Sequence, residues 1–246
     1  MNNFLKALTI TILIVVIIRS FIVESNYVSS GSMTPTLTVG DRIFTTKFSF
    51  GFMIPFSDKK IISYSTPKRG EIIVFLAPSK KETLKNGFEQ FLKKEEKFIK
   101  RVVAIAGDTI LMKNQVLYLN GKEIKKISSN FEELNYKGDE NSFNSLLYKE
   151  KIGEHSFYTI NNLIKIKHTA NFGVDKKNKI SYNEDDIISP YRVPKGYFFV
   201  IGDNRDDSFD SRFFGPIPIK NLQGRTLFRW FSIYNDDILW RRIGGI

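Results

Sequence analysis

One apolar segment near the start separates the chain into two unlike parts. Ala7–Val23 is almost wholly hydrophobic, with Arg19 as its only charge. About 17–25 such residues can cross the hydrocarbon core of a bilayer as a helix, and an arginine near one end can reach the polar interface. A cleaved secretory leader is the alternative, but Val23–Ser25 is a poor cleavage site. We expect a transmembrane anchor within residues 1–25.

The charges that flank this segment predict its orientation. Lys6 and the terminal amine precede it, and Glu24 follows it. Positive charge favours the cytoplasmic side of a membrane. The sequence therefore predicts a single-pass protein of the cell (inner) membrane, with its N-terminus in the cytoplasm and the remaining domain outside.

Short apolar runs bounded by turn residues follow the anchor. Glu71–Leu76, Phe98–Ala106 and Tyr197–Ile201 have the length of buried strands. Helical periodicity is scarce, and Lys80–Lys94 is the best candidate for a further helix. The pattern predicts a mainly β protein.

Two Asn-containing dipeptides predict hairpins. Asn120-Gly121 joins two strand-like runs, and this dipeptide favours a two-residue hairpin turn. Asn161-Asn162, between Phe157–Ile160 and Leu163–Ile166, is the second candidate.

A change in composition predicts how the β region is divided. Residues from about 113 to 194 are richer in Lys, Asn, Ser and Glu. We interpret 113–194 as an inserted smaller β subdomain, and 26–112 with 195–246 as the main all-β domain.

Composition excludes several kinds of chemistry. The chain has 246 residues and no cysteine, which rules out disulfides, thiolate catalysis and cysteine zinc sites. Its net charge of +11 fits nucleic acid, an anionic membrane surface or general solubility. Because the basic residues are scattered, we expect no nucleic-acid partner.

The first candidate for chemistry is the segment Ser29–Leu37. Gly31 permits a sharp turn and Pro35 restricts the backbone after it. A hydroxyl presented at such a turn can act as a nucleophile, with N–H groups nearby for an oxyanion. A flexible linker leaving the membrane is the alternative interpretation.

The second candidate is Lys100. Strand alternation places it on the face of Phe98, Val102 and Ala104. An apolar surrounding lowers the pKa of an amine, and a neutral amine is what a general base requires. An edge-strand lysine that reaches water is the alternative.

The third candidate is the loop Gly202–Arg212. A calcium loop is disfavoured because Arg205 falls where a second acid is needed and no Glu closes the loop. A polar turn held by Asp–Arg pairs remains open. The sharper hypothesis is that the Ser208 hydroxyl orients a base by a hydrogen bond.

The histidines do not fit a catalytic triad. His155 and His168 both lie in the predicted insert, away from any Ser/Asp constellation. A Ser–Lys pair is the remaining way to activate a serine.

Together these segments resemble bacterial type I signal peptidases. The shared features are an anchor followed by blocks in a fixed order, and they cover the chain except for the insert. The blocks are SGSMTPTL, GDRIFTTKF, PKRGEIIVF, FIKRVVAIAGD, GDNRDDSFDSRFFGPI and the closing RIGG.

The resemblance implies a role for several residues. Ser32 falls on the nucleophile and Lys100 on the general base. Ser30 falls on the residue that forms the oxyanion hole with the Ser32 N–H, and Ser208 on the residue that orients the lysine. The remaining implied residues support the site or bind substrate, and they are Asp210 and Arg212 for support and Tyr27, Ser29 and Phe98 for substrate.

The resemblance also implies partners. The substrates are signal peptides of exported preproteins, with small residues one and three positions before the cut, and neither a metal nor a cofactor is needed. Two alternatives remain: another Ser–Lys protease such as the self-cleaving repressors, and a membrane-anchored β module that binds partners without catalysis. The distance from Ser32 Oγ to Lys100 Nζ discriminates between an enzyme and a binding module.

Membrane lipid is a further expected partner. Trp230, Phe231 and Trp240 are of the kind that favours a membrane interface. The alternative is that such side chains fill the β core. We expect an exposed apolar patch that dips into the outer face of the membrane, formed by Phe50, Phe52, Met53 and Ile54.

Overall fold

The computed structural model describes residues 2–21, 23–53, 60–77, 96–131, 145–162, 182–183 and 186–246. There the chain is mainly β, as predicted. The helices are α1 (Asn2–Phe21) and the short α2 (Ser211–Phe214). The strands are β1 (Val23–Tyr27), β2 (Arg42–Thr46), β3 (Gly51–Met53), β4 (Lys60–Ser63), β5 (Ile72–Leu76), β6 (Lys97–Ile105), β7 (Thr109–Lys113), β8 (Val116–Leu119), β9 (Lys122–Glu123), β10 (Ile127–Ser129), β11 (Ser145–Ile152), β12 (His155–Asn162), β13 (Tyr182–Asn183), β14 (Asp186–Arg192), β15 (Tyr197–Ile201), β16 (Ile217–Pro218), β17 (Leu222–Phe231), β18 (Ile233–Tyr234), β19 (Asp237–Ile238) and β20 (Gly244–Gly245).

Helix α1 covers most of the segment predicted to be the anchor. Within the described residues, no helix combines the length and the apolar character needed to cross a bilayer. The transmembrane anchor therefore stays a prediction.

The largest sheet contains the strands predicted from the three apolar runs. Its order is β1-β2-β17-β5-β6-β15-β16, with β20 added beside β17, and its pairs are antiparallel. Lys97 of β6 lies 2.9 Å from Glu24 of β1, although three strands separate β1 from β6 in the sheet. The sheet therefore curls until these two strands face each other.

Strand β6 carries an irregularity that corrects one prediction. Val200 of β15 pairs with Val102 while Phe199 pairs with Ala104, so Val103 is an extra residue. Val102 packs in one core cluster, whereas Ala104 packs in another. The prediction that Ala104 shares the face of Lys100 is wrong, because one extra residue reverses the alternation beyond it.

The two predicted hairpins have different outcomes. The first is confirmed: Asn120 (φ 52°) and Gly121 (φ 76°) form the turn between β8 and β9. The second is wrong, because Asn162 pairs with Ser145 inside the β11–β12 ladder. The chain turns instead at Gly153, whose φ is 61°, and the strand predicted at Leu163–Ile166 lies outside the described residues.

Of the four smaller sheets in the described residues, two lie mostly in the predicted insert, and the hairpins β3-β4 and β18-β19 lie outside it. The two in the insert have the orders β13-β14-β7-β8-β9 and β10-β11-β12. Strand β7 begins at Thr109, a few residues before the predicted boundary at 113. The domain division stays a prediction, and the helix proposed at Lys80–Lys94 falls outside the described residues.

The predicted exposed patch needs a correction at Phe50. Its side chain is fully buried, in a core cluster with Ile73 and Phe75, and the Arg225 guanidinium lies 5.2 Å from its ring. Packing against these neighbours removes an aromatic ring from water, so its predicted exposure is wrong. The side chains of residues 52–54, the rest of the predicted patch, lie outside the described ones.

Close packing of β17 on β2 generates a stability prediction. A Cβ added at Gly224 would meet the Thr46 carbonyl oxygen and the Thr45 side chain, while one added at Gly245 meets nothing within 4 Å. We expect Gly224→Ala to lower the free energy of unfolding by about 1–3 kcal/mol, the usual cost of overpacking. Urea unfolding measures this, with Gly245→Ala as the matched control. Equal stability of the two variants would contradict the packing described.

Candidate active site

The turn that carries Ser32 is built into the core. Gly31–Met33 forms one 3-10 turn after β1, and the Thr34 N–H closes it on the Gly31 carbonyl at 3.0 Å. Met33 and Leu37 are buried, and the Leu37 N–H donates to the Met33 carbonyl at 2.9 Å. A segment pinned by its own side chains is not a flexible linker, so that alternative interpretation is wrong.

Ser32 and Lys100 meet in this core. The Ser32 Oγ and the Lys100 Nζ are 2.5 Å apart, although the residues are 68 positions apart in the sequence. Only 8% of Ser32 and 5% of Lys100 is exposed. The curled sheet brings β6 against the turn that follows β1, which produces this contact.

Burial changes the acidity of Lys100. Loss of water lowers its pKa to about 8, which is the largest effect on it. The carboxylate of Asp210 opposes this shift, and the guanidinium of Arg212 adds to it. At physiological pH a minority of the amine is therefore neutral, far more than for an ordinary lysine, and that form has a lone pair free to accept a proton.

Ser30 lies beside the pair at the surface. Its hydroxyl oxygen is 3.3 Å from Ser32 Oγ, and its backbone is extended with φ −136°. Ser30 is exposed to solvent. A hydroxyl at this position can point toward a group that reacts at Ser32.

Asp210 and Arg212 form a buried ion pair under the site. The guanidinium donates to both Asp210 carboxylate oxygens at 2.9 Å, and the Gly202 N–H donates to the same carboxylate at 2.9 Å. Burial alone would raise the pKa of Asp210, but the Arg212 charge and these hydrogen bonds outweigh it and lower that pKa. The carboxylate stays ionised and caps α2 through the Arg212 N–H.

Ser208 lies close to the Ser32–Lys100 pair but does not contact the Lys100 amine. It is buried, and its side chain packs on Gly202, where an added Cβ would collide with it. The described residues hold no hydrogen bond between Ser208 and Lys100. Its orienting role stays a prediction.

A second buried ion pair lies beside Lys100, and the sequence patterns did not predict it. Arg101, next to Lys100, donates to both carboxylate oxygens of Asp203 at 2.8 and 2.7 Å, and to the Gly70 carbonyl at 2.7 Å. The Thr36 hydroxyl donates to Asp203 at 2.5 Å. This ion pair connects β6 to the loop after β15. The signal that could have revealed it was an arginine in the I-K-R segment and an aspartate in the G-D-N-R segment, each close to a residue predicted for the site.

A groove opens above Ser32. Its volume is about 650 Å³, and it lies between the end of β1 and the start of β6. Among the described residues, Lys97–Lys100 of β6 pair with β5 alone, because pairing with β15 begins at Arg101. The other edge of that segment therefore has no partner strand in this part of the chain. The groove is lined by the predicted substrate residues Tyr27, Ser29 and Phe98, and also by Val28, Ser30, Gly31, Ser32, Met33, Glu96, Lys97, Ile99, Lys100, Asp207 and Phe209.

Known proteins resemble this chain over nearly all of its length. A family model described as "Signal peptidase, peptidase S26" matches residues 1–231. A signal peptidase I of Buchnera aphidicola subsp. Schizaphis graminum is 34% identical, covering 98% of this chain and 80% of that relative. A signal peptidase I of Aquifex aeolicus is 34% identical, covering 94% of this chain and 85% of that relative. The chain belongs to the signal peptidase family, peptidase S26, which confirms the resemblance seen in its motifs.

A solved structure was also similar. The crystal structure of a signal peptidase I from Enterococcus faecalis V583 aligns with a TM-score of 0.33 at 21% identity, covering 66% of this chain and 98% of that chain. A likeness this distant adds nothing to the fold, which rests on the sheets described above.

Close approach at Gly202 generates a prediction for the site. A Cβ added there would collide with the Ser32 carbonyl oxygen and with Ser208. We expect Gly202→Ala to displace the Ser32 turn and to reduce peptide cleavage by about 100-fold or more, because small misplacements are costly. Gly245→Ala, at a position with open space around it and without a positive φ, is the control for an added methyl group. Cleavage assays on both variants measure this, and full activity of Gly202→Ala would contradict it.

Proposed function

We propose that the chain is a membrane-bound serine endopeptidase that removes N-terminal signal peptides from exported preproteins. Ser32 is the nucleophile and Lys100 the general base. The observation that carries the proposal is the 2.5 Å contact of a buried serine hydroxyl with a buried lysine amine. Membership of the signal peptidase family supports the substrate class.

The first step forms an acyl-enzyme. Neutral Lys100 takes the proton of the Ser32 hydroxyl as its oxygen attacks the carbonyl carbon of the scissile bond. The peptide bond breaks, and the new N-terminal amine of the mature protein takes the proton from Lys100. The signal peptide stays attached to Ser32 as an ester. The lowered pKa of Lys100 supports this role, since an amine of ordinary pKa would be protonated at neutral pH.

The second step releases the signal peptide. Neutral Lys100 takes a proton from a water molecule, whose oxygen attacks the ester carbon. Ser32 recovers its proton from Lys100 as it leaves. In both steps negative charge develops on the carbonyl oxygen, and the Ser30 hydroxyl and the Ser32 N–H stabilise it.

The open groove supports an extended substrate. A peptide in strand conformation satisfies its backbone groups by pairing with an exposed strand edge, and β1 and the start of β6 both offer one. Tyr27, Ser29 and Phe98 line this path and contact the residues before the cut. Membership of the signal peptidase family supports small residues one and three positions before the cut.

A non-catalytic binding module is the second candidate, and the site disfavours it. Removing an amine from water costs free energy, as the lowered pKa of Lys100 reflects. A module that only binds a peptide gains nothing from burying a lysine against a serine. The contact therefore favours the enzyme.

The membrane belongs to the proposal as location and partner. The apolar segment Ala7–Val23 anchors the chain, with the N-terminus in the cytoplasm. Large exposed apolar side chains support contact with lipid, because such surface is costly in water. Those in the described part include Ile61 at 65%, Ile62 at 57%, Tyr64 at 54% and Trp240 at 72% exposed.

The proposed dyad predicts two inactive variants. Ser32→Ala removes the attacking oxygen and Lys100→Ala removes the base, so we expect each to abolish cleavage of a purified preprotein while the fold persists. The exposed pair Ser128→Ala and Lys113→Ala provides matched controls away from the groove. Near-normal turnover by either dyad variant would refute the assignment.

The pKa of Lys100 predicts a rate profile. The neutral amine is the active form, so kcat/KM should rise about tenfold per pH unit below 8 and level off above it. Initial rates between pH 6 and about pH 10 measure the profile. A rate that stays constant across this range would exclude a lysine base with this pKa.

The position of Ser30 predicts a partial loss. Ser30→Ala removes one oxyanion donor and leaves the Ser32 N–H, so we expect kcat to fall by about 10²–10³-fold, with KM little changed. Ser30→Thr keeps a hydroxyl and should retain more activity. If kcat of Ser30→Ala equals that of the unaltered chain, the oxyanion is bound by other groups.

A further inference from the structure

Strand β12 of the predicted insert is hydrogen-bonded to the loop of residues 203–206, which lies next to the active site. Ile160 of β12 forms a parallel bridge with Asn204: the Ile160 N–H donates to the Asp203 carbonyl at 3.0 Å, and the Arg205 N–H donates to the Ile160 carbonyl at 2.9 Å. The Asp206 carboxylate adds a further hydrogen bond, because it accepts from the Asn162 N–H at 2.6 Å. The loop of residues 203–206 is thus docked on β12 through its main chain and one carboxylate.

A buried ion pair joins the same two elements. Arg205 donates to the Glu150 carboxylate of β11 at 2.6 Å, and both residues are 1% exposed. The Thr159 hydroxyl holds the other Glu150 oxygen at 2.9 Å. Lys126 lies 4.0 Å from Glu150, and burial, together with the Arg205 charge, lowers its pKa to about 8. Lys126 can therefore lose its charge if Glu150 is replaced.

The opposite side of the loop holds the nucleophile turn. The Asn204 N–H donates to the carbonyl of Ser32 itself at 3.1 Å. The Asn204 side-chain amide donates to the Gly31 carbonyl at 3.2 Å. The main chain of its two neighbours therefore links Asn204 to β12, while its own N–H contacts Ser32 and its side-chain amide contacts Gly31.

We propose that Glu150 and Arg205 are positioning residues for the nucleophile. Their buried pair fixes the loop of residues 203–206 on β12, and Asn204 transmits that position to the backbone of Ser32. The proposal rests on the function proposed above, and it gives the β11–β12 hairpin of the predicted insert a part in the reaction without contact with substrate.

Stability alone is a poor reason for this ion pair. Taking two charges out of water costs nearly as much as their attraction returns, and apolar replacements of such pairs are often as stable or more so. Position is a better reason, since an error of about 1 Å at a nucleophile can cost about 100-fold in rate. The two reasons make different predictions when both charges are removed together.

Three variants of the full chain separate these reasons. Glu150→Gln leaves Arg205 charged and unpaired, so stability and kcat both fall. The double variant Glu150→Leu with Arg205→Met removes both charges and recovers stability. Asp108→Asn is the control. It breaks the ion pair of Asp108 with Arg69, which are 2.6 Å apart, and the hydrogen bonds described for these two side chains do not involve residues 203–206.

Cleavage of a purified preprotein gives kcat and KM, and urea unfolding gives stability. We expect the double variant to keep a kcat about 10- to 100-fold below that of the unaltered chain, with KM within about twofold. The control should lose stability and keep its kcat at temperatures well below unfolding. A milder variant, Thr159→Val, keeps both charges and should lower kcat severalfold without unfolding the chain.

Amide hydrogen exchange supplies a readout that does not depend on catalysis. We expect faster exchange in residues 202–207 and at the Ser32 turn in the double variant, with unchanged exchange in β5. If the double variant regains both stability and kcat, or if Thr159→Val leaves kcat and exchange unchanged, the inference is overturned and the proposed function stands. If the unaltered chain cleaves no preprotein, the proposed function fails, and exchange still decides whether Glu150 and Arg205 hold the Ser32 turn.

Discussion

The burial of one amine sets the conditions for the rest of the site. Lys100 lies in the core beside Ser32, and the loss of water lowers its pKa to about 8. The Lys100 amine can act as a general base only if nearby carboxylates do not raise its pKa back to the ordinary value. The described structure meets this requirement by pairing its buried acids with arginines: Asp210 with Arg212, and Asp203 with Arg101. Arg212 offsets part of the effect of Asp210, and the loss of water outweighs the remaining upward effect of Asp210, Asp203 and Asp207 on the pKa of Lys100.

The turns around the buried Ser32–Lys100 pair are closely packed. Gly202 lies where any side chain would press on the Ser32 carbonyl, and its N–H holds the Asp210 carboxylate. The loop after β15 thus approaches the nucleophile closely enough for main-chain contact, and Asn204 makes that contact. Backbone hydrogen bonds of this kind fix a position more firmly than flexible side chains do, because fewer rotatable bonds intervene.

Local signals in the sequence predicted the parts of the protein that depend on local physics. Asn120-Gly121 turns as expected because its backbone favours positive φ wherever it occurs. Motif order predicted Ser32 and Lys100, and the structure brings them together. The failures have tertiary causes. Asn161-Asn162 stays extended because β11 pairs with it, and Ala104 changes faces because β15 leaves one residue of β6 unpaired. No pattern within either segment contains the partner strand that decides the outcome.

The curled main sheet has a consequence for the bound state. Strands β1 and β6 are far apart in strand order, yet the ion pair of Glu24 with Lys97 spans the gap between them. A peptide laid in that gap would be hydrogen-bonded on both sides, so that the substrate itself would complete a ring of strands that the protein leaves open. Cleavage would then cut the one strand that is not part of the enzyme. In the proposed mechanism the ring would reopen only when the ester on Ser32 is hydrolysed and the signal peptide leaves, so that release of this product and restoration of the empty groove would be the same event.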